Sequence, residues 1–259
     1  MTRIILDIKK NLEENASIYF DRAKKAKKKI KGVEEALKRF AQQQQTLEKK
    51  QDEYAKEQRT KAQPKQLQHW YEKFRWIRTS QGLLCIGGRD ATQNEILIKK
   101  YTKPTSIVFH AEMSGSPFFI IIEDHASEQS LKEVATTTAV YSRAWKLGLG
   151  SAEVYYVLGE QISKTAQSGE YLTKGSFMIR GKRTSYHPRL EFAIGLREQE
   201  LLAGPPQAVQ AHTENMVRLV QGTQKASEIA REIKKKLSYK GHIDDIIRLL
   251  PTGKISLSR

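Results

Sequence analysis

The sequence predicts an α+β protein: a long N-terminal coiled-coil helix, a mixed and largely antiparallel sheet domain with inserted helices, and a small helical C-terminal extension. Residues before Pro64 hold a single glycine, Gly32, and no other proline, as expected for one uninterrupted helix. Short β-rich apolar runs follow, mostly in adjacent pairs with two helical stretches between them. Helical periodicity returns after Gly204. The predicted domains are 1–67, 68–200 and 201–259.

Charge limits the kinds of partner this chain can have. Its 259 residues carry 45 Lys and Arg against 29 Asp and Glu, a formal net charge of +16. Residues 1–67 supply +8 of this excess, residues 68–200 supply +3 and residues 201–259 supply +5. Such an excess favours a polyanionic partner. Because the sequence has no apolar run of about 18 residues, no signal peptide and no cysteine besides Cys85, we expect a soluble cytoplasmic protein without a membrane span or a disulfide scaffold.

The N-terminal segment has the spacing of a coiled-coil seam. Apolar residues recur at intervals of 3, 4, 3, 7 and 7, with Gln44 and Gln51 at two polar seam positions. So narrow an apolar stripe needs a partner helix, from a second copy of the chain or from another protein. The seam residues are Ile30, Val33, Leu37, Phe40, Leu47 and Tyr54.

Lysines cluster immediately before this seam and wrap most of the helix, since consecutive helical residues are about 100° apart. One interpretation is a solvated helix exterior. Another is contact with the phosphates of a nucleic acid, whose counterions such a cluster would release. An acidic lipid surface fits less well, because the helix lacks a broad apolar face. The lysines proposed to contact RNA are Lys24, Lys25, Lys27, Lys28 and Lys29.

Aromatic residues mark the start of the folded domain after Pro64. A hairpin around Ser80-Gln81-Gly82 is expected first, followed by a helix that Asp90 caps. Strands are predicted at 76–79, 83–86, 107–110, 118–122, 153–158, 177–180, 190–194 and 216–220. Helices are predicted at 91–101, 131–146, 226–237 and 243–250.

Two stretches have the composition of phosphate-binding segments. Gly87-Gly88-Arg89-Asp90 lies between a strand and a helix, where it forms either a phosphate cradle or a structural turn. The segment 161–183 alternates hydroxyls, glycines and cations, which suits contacts to an RNA backbone, although a solvated loop has the same composition. The proposed RNA-binding residues here are Arg89, Lys99, Lys100, Lys164, Lys174, Arg180, Lys182 and Arg183.

Catalytic and metal-binding patterns are weak. The six histidines lack the spacing of zinc ligands, and Cys85 lies between two apolar residues, as a buried thiol does. We therefore expect no enzyme and no cofactor. The enzymatic alternative would bring Asp90, His110 and Lys164 together in one cleft.

Several motifs closely resemble the NFACT-R domain of the NFACT family, whose members include RqcH- and NEMF-like proteins. They are WYEKFRWI at 70–77, GRDATQNE at 88–95, VFHAE at 108–112 and SKTAQSGEYLTKGSFMIRGK at 163–182. The resemblance spans about residues 68–200. The segment from Glu14 resembles the family's entry into its coiled coil, and the tail resembles the archaeal version, which suggests an archaeal source.

This resemblance implies a role in ribosome-associated quality control, where family members bind an obstructed large ribosomal subunit, recruit tRNA and support C-terminal tailing of the stalled chain. The family's N-terminal regions have no counterpart here, so tailing is not carried over. We expect an RNA-binding module that contacts large-subunit RNA or tRNA. The alternative is a protein-interaction adaptor whose coiled coil dimerises or recruits another quality-control factor.

Overall fold

The computed structural model describes residues 5–9, 11–61, 69–164 and 174–258, and for 41–61 it describes only the course of a helix. Two units make up the chain, Met1–Gln66 and Leu67–Arg259. The side chains of the predicted seam residues beyond Phe40 lie outside the described residues. No helix in the described part is long and apolar enough to cross a bilayer.

The first unit contains a single described helix, α1 (Leu12–Lys61), about 75 Å long at 1.5 Å per residue. Its first turn carries a capping box: the Glu14 N–H donates to Asn11 Oδ1 at 2.7 Å, and the Asn11 N–H donates to Glu14 Oε2 at 2.9 Å. The long predicted helix is confirmed. The part of the seam from Ile30 to Phe40 is 58–68% exposed.

The second unit combines short strands with short helices. Its described strands are β1 (Arg75–Arg78), β2 (Leu84–Gly87), β3 (Ile107–Ala111), β4 (Phe119–Ile121), β5 (Val154–Leu158), β6 (Ile162–Ser163), β7 (Met178–Ile179), β8 (Thr184–Tyr186), β9 (Phe192–Arg197), β10 (Glu200–Gly204), β11 (Met216–Gln224) and β12 (Ile255–Leu257). Its described helices are α2 (Ala91–Ile96), α3 (Glu128–Tyr141), α4 (Arg143–Leu147), α5 (Pro206–Gln210), α6 (Ala226–Lys236) and α7 (Ile243–Ile247). The predicted α+β class is confirmed.

The strands form two sheets and a separate hairpin. One sheet has the order β1-β2-β4-β3-β5-β8, the other has the order β10-β9-β11-β12, and β6 pairs with β7. All pairings between the described strands are antiparallel. The predicted first hairpin is confirmed, with Ile77 opposite Cys85. Asp90 also caps α2 as predicted, because its side chain accepts a bond from the Gln93 N–H at 2.9 Å.

Successive residues of the central strands enter two different cores, as the period of two in a strand requires. Ile77, Cys85 and Phe119 pack with α3, α4 and the second sheet. Trp76 and Ile86 instead face a smaller core that includes Phe74 and Leu97. Cys85 is fully buried, and that burial raises the pKa of its thiol well above the ordinary value. The predicted burial of this cysteine is confirmed.

The prediction of one continuous helix over 131–146 is wrong, because the helix is interrupted at Ser142. This residue is extended, with φ −76° and ψ 177°, between α3 and α4. Its hydroxyl donates to the Ala139 carbonyl at 2.6 Å and accepts from the Ala144 N–H at 3.1 Å. A serine can replace helix hydrogen bonds in this way, so it ends one helix and caps the next.

The predicted small helical extension at 201–259 also needs correction, since this segment supplies three strands of the second sheet. Strands β10 and β11 pair with opposite edges of β9, and β12 pairs with β11. The β9–β10 turn consists of Glu198 and Gln199, both with positive φ (48° and 71°). Two-residue hairpins of this kind usually contain Asn-Gly, so the sequence carried no signal for the turn.

Candidate nucleic-acid interface

A groove of about 620 Å³ lies beside α2 in the second unit. One wall is formed by Arg75, the first residue of β1, and by the segment Gly88–Asn94. The Ser114–Phe118 loop forms another wall. The junction of α3 and α4 and the segment 174–179 complete it. Loops and helix ends from distant parts of the chain therefore surround one concave surface.

The lining of this groove is strongly cationic. Its only carboxylate within the described residues belongs to Asp90 and is engaged in capping α2. Low-dielectric walls focus the field of such a set of charges and draw anions into the groove. The cations of the lining are Arg75, Arg89, Arg143, Lys146 and Lys174.

The guanidinium groups of Arg75 and Arg89 are half-buried in the groove. Arg89 donates to the carbonyls of Lys73 at 3.3 Å, Phe74 at 3.0 Å and Arg248 at 2.9 Å. Burial first, and then Arg75, lower the Arg89 pKa to about 10, so the group stays charged at neutral pH. Arg75 lies 4.3 Å from the centre of the Tyr141 ring, and its buried Nε has no hydrogen-bond partner within the described part. An anion entering the groove would relieve the repulsion between these neighbouring cations.

Two aromatic rings of the groove, those of Phe118 and Tyr155, are buried under neighbouring side chains. Phe118 is 3% exposed and packs against His110, 4.4 Å between ring centres, and against Phe177 at 5.6 Å. Tyr155 is 4% exposed beneath the Arg183 guanidinium, which lies 4.6 Å from the ring centre. The rings of Phe118 and Tyr155 leave no open face for a nucleobase, and the cationic lining suits phosphate and sugar.

His110 is neutral at physiological pH. Burial first, and Arg183 to a smaller extent, lower its pKa from 6.5 to about 4, against a hydrogen bond that the ring donates to the Ser116 backbone and that acts in the opposite direction. Its Nδ1 lies 3.3 Å from the Tyr155 hydroxyl. The folded-state pKa is below the unfolded value, so this contribution to stability is complete above about pH 6.5 and is lost as the pH falls towards 4.

A pH series tests this assignment of His110. We expect its titration alone to lower the free energy of unfolding by about 2 kcal/mol between pH 7 and pH 5. The variant His110→Gln should lose that part of the pH dependence in urea denaturation, whereas the exposed His187→Gln should keep it. Identical pH dependence in wild type and His110→Gln would contradict the assignment.

Glu95 fastens the segment before β7 to α2. Its Oε1 accepts from the Lys164 ammonium and, at 3.1 Å, from the Gly175 N–H, while Oε2 lies 3.8 Å from Lys99 Nζ. Lys164 chiefly, and then the Gly175 N–H, lower the pKa of this carboxyl. Gly175 has φ +82°, and a Cβ there would lie 2.6 Å from Ala91 Cβ. This close approach holds the preceding residue, Lys174, at the groove.

The predicted RNA-binding residues are thus only partly brought together. Arg89 and Lys174 line the groove. Lys99 and Lys164 pair with Glu95, and Arg183 pairs with Glu112 at 3.0 Å. The predicted residues that remain exposed, with no ion pair to another described residue, are Lys100, Arg180 and Lys182 in the second unit and Lys24, Lys25, Lys27, Lys28 and Lys29 on α1.

Sequence reasoning missed three of the groove cations. Arg143 and Lys146 are three residues apart, which places them on one side of α4, but no motif announces them. Arg75 comes from β1, far away in the chain. Of the three residues in the enzymatic alternative, Asp90 and His110 line the groove, and Lys164 is paired with Glu95. No cluster of metal-ligating side chains occurs among the described residues.

The fold and the groove define a basic α+β domain suited to binding a polyanion. Residues 73–181 match the family described as the NFACT protein RNA binding domain. Through this region the chain belongs to the NFACT family.

Similar proteins carry related names. The chain is 43% identical over 192 residues to the archaeal Rqc2 homolog aRqcH of Methanocaldococcus jannaschii, across 71% of this chain and 28% of that protein. It is 39% identical over 180 residues to the human ribosome quality control complex subunit NEMF, across 67% and 16%. The chain thus spans less than a third of the length of these relatives. The solved C-terminal part of the Streptococcus suis fibronectin/fibrinogen-binding protein aligns with TM-score 0.39 and 19% identity, over 48% of each chain.

Proposed function

We propose that this chain is a non-enzymatic RNA-binding module of ribosome-associated quality control that contacts the backbone of large-subunit ribosomal RNA or tRNA. The cationic groove carries this proposal, because three exposed cations and two half-buried guanidiniums surround one cavity. The names of the relatives, ribosome quality control subunits among them, support the cellular setting. A cytoplasmic location follows from such a role.

The proposed contact is with phosphate and sugar, without recognition of base sequence. Arg and Lys side chains bind phosphate oxygens and position a protein on nucleic acid, and base edges must be reached for sequence to be recognised. The exposed hydroxyl group of Ser114 lines the same groove and offers a hydrogen bond to a sugar or phosphate oxygen. This interface should therefore accept many RNA sequences with similar affinity.

The helix α1 adds a second proposed contact. The lysines between 24 and 31 are exposed around the helix, where they can follow a phosphate backbone. The exposed stripe from Ile30 to Phe40 is the proposed coiled-coil seam, met by a second copy or by a partner helix. That stripe also favours the second candidate function, a protein-interaction adaptor that recruits another quality-control factor.

Salt dependence separates the two functions. If RNA contacts three to five groove cations, affinity should fall about 10- to 100-fold between 50 and 200 mM salt, because each contact releases condensed counterions. Titration of a fluorescent single-stranded RNA and co-sedimentation with large ribosomal subunits measure this effect.

Substitution of the seam supplies the control for that experiment. The pair Val33→Ser and Leu37→Ser should leave the salt-dependent RNA affinity within about twofold of wild type, since neither residue carries charge. An adaptor would behave in the opposite way: its association with ribosomes would survive high salt and be lost in the seam variant. That result would overturn the RNA-binding proposal.

A further inference from the structure

Trp70 is an exception among the aromatic residues of the second unit. Its side chain is 47% exposed, whereas the other two tryptophans, Trp76 and Trp145, are 8% and 1% exposed. Trp70 lies in the short 3₁₀ turn Trp70–Lys73, ahead of β1. A single exposed aromatic residue is ordinary by itself, so what Trp70 can bind depends on how the indole is held and on what surrounds it.

The indole is held flat and rigid. It stacks on the Tyr101 ring with 4.9 Å between centres and 6° between planes. Tyr71 meets it edge-on at 5.8 Å, and Phe74 supports Tyr101 edge-on at 5.5 Å. One face of Trp70 is therefore covered by Tyr101, while 47% of the side chain stays exposed. A preorganised ring of this kind binds a flat partner with little loss of side-chain entropy.

Positive charge borders this surface and continues into the groove. Lys73 Nζ lies 3.3 Å from the Tyr101 hydroxyl and 5.7 Å from the Tyr101 ring centre. The backbone carbonyl of Lys73 accepts from the groove residue Arg89 at 3.3 Å. The aromatic pair thus adjoins the end of the groove marked by Arg89, and a polyanion lying in the groove can extend across it.

We infer that the Trp70–Tyr101 pair is a stacking platform for an unpaired nucleobase of RNA. This inference rests on the proposed function and narrows it: the groove holds backbone phosphate, the platform holds a base, and the ligand is single-stranded RNA. Bases inside a duplex are stacked on each other and cannot reach an aromatic side chain. Stacking of this kind tolerates any base, as every base has a π face.

Intrinsic fluorescence of the full chain tests the platform, because Trp70 is the exposed one of three tryptophans. A single-stranded RNA of ten nucleotides should quench the emission to saturation. An abasic oligomer with the same phosphates should bind more weakly and leave the emission unchanged, and a duplex should do the same. Equal affinity for the intact and abasic oligomers without quenching would overturn the platform and leave the proposed function standing.

Variants of Trp70 give a second measurement. Trp70→Ala should weaken binding of the intact oligomer about 5- to 150-fold and leave binding of the abasic oligomer unchanged. Trp70→Phe should keep most of the affinity for the intact oligomer. Val220 is an exposed apolar residue outside the groove lining, and Val220→Ala should not change that affinity. Failure of wild type to bind either oligomer would overturn the proposed function itself. Emission that shifts with protein concentration in the absence of RNA would assign the surface to a second copy of the chain and overturn the platform.

Discussion

Reversing the charge of Arg143, Lys146 and Lys174 to Glu is expected to lower the affinity for single-stranded RNA by at least about 100-fold. Each of these side chains is exposed at the groove and has no ion pair with a carboxylate among the described residues. Each can therefore bind phosphate without first breaking an internal contact. The change also replaces three attractive charges by three repulsive ones in a partly enclosed site, where screening by salt is weaker than on an open surface.

The slope of affinity against salt gives a finer measurement than affinity alone. If all three cations contact phosphates, the logarithmic slope of the triple variant should be smaller by about 2 to 3. Electrophoretic mobility shift or fluorescence anisotropy at four salt concentrations measures it. Because the three residues are exposed, the variant should unfold at a temperature close to that of wild type.

The basic helix α6 offers a matched control for net charge. Reversal of Arg231, Lys235 and Lys236 changes the charge of the protein by the same amount, on exposed positions outside the groove lining. If the groove is the binding site, this control should lose less than about tenfold in affinity, through the general field of the protein. Equal losses in the two triple variants would contradict binding in the groove.

Local features of the fold could be predicted from the sequence because they depend on neighbouring residues. Short apolar runs on either side of the Ser80-Gln81-Gly82 turn predicted β1 and β2, and Asp90 predicted the start of α2. The absence of helix-breaking residues predicted α1. Each of these signals lies within a few residues of the element that it predicts.

Features that depend on tertiary contacts could not be predicted in this way. The break at Ser142 and the β9–β10 turn at Glu198 have no distinctive local sequence, and β12 is a three-residue strand whose place depends on β11. Within 201–259 the sequence therefore predicted one strand, 216–220, besides two helices, whereas the tail supplies three strands of a sheet.

The candidate site shows the same division. Composition indicated the cations of the 161–183 segment as RNA-binding residues. In the structure, however, Lys164 forms an ion pair with Glu95, and Arg183 forms one with Glu112. A carboxylate 69 residues away in the chain decides whether Lys164 is available. The groove instead uses Arg143 and Lys146, whose role follows only from where α4 lies in the fold.

The largest expected effect on stability comes from the centre of the six-stranded sheet. Phe119 is fully buried on β4, with its ring 5.9 Å from that of Tyr141. Replacement by Ala should lower the free energy of unfolding by about 3 to 5 kcal/mol, through lost burial and the cavity that remains. Urea denaturation monitored by circular dichroism measures this change, and an effect below about 1 kcal/mol would contradict the position of the ring.

The same ring explains why the neighbouring strand has a glycine at position 87. Gly87 is the cross-strand partner of Phe119, and a Cβ at Gly87 would lie 2.5 Å from two ring carbons. Gly87→Ala should therefore destabilise wild type by about 1 to 3 kcal/mol. In the Phe119→Ala background the added methyl enters the vacated space, so the same substitution should be neutral or stabilising.

A double-mutant cycle isolates this coupling from the separate costs of the two substitutions. We expect an interaction energy of about 1 to 3 kcal/mol between positions 87 and 119, since the clash exists only when both the methyl and the ring are present. Gly195→Ala is the matched control: its Cβ would lie 2.6 Å from Thr213 Cγ2 and from Val209 Cγ1, atoms that Phe119→Ala leaves in place. Its cost should add to that of Phe119→Ala. Additivity at position 87 as well would show that the ring does not cover this glycine.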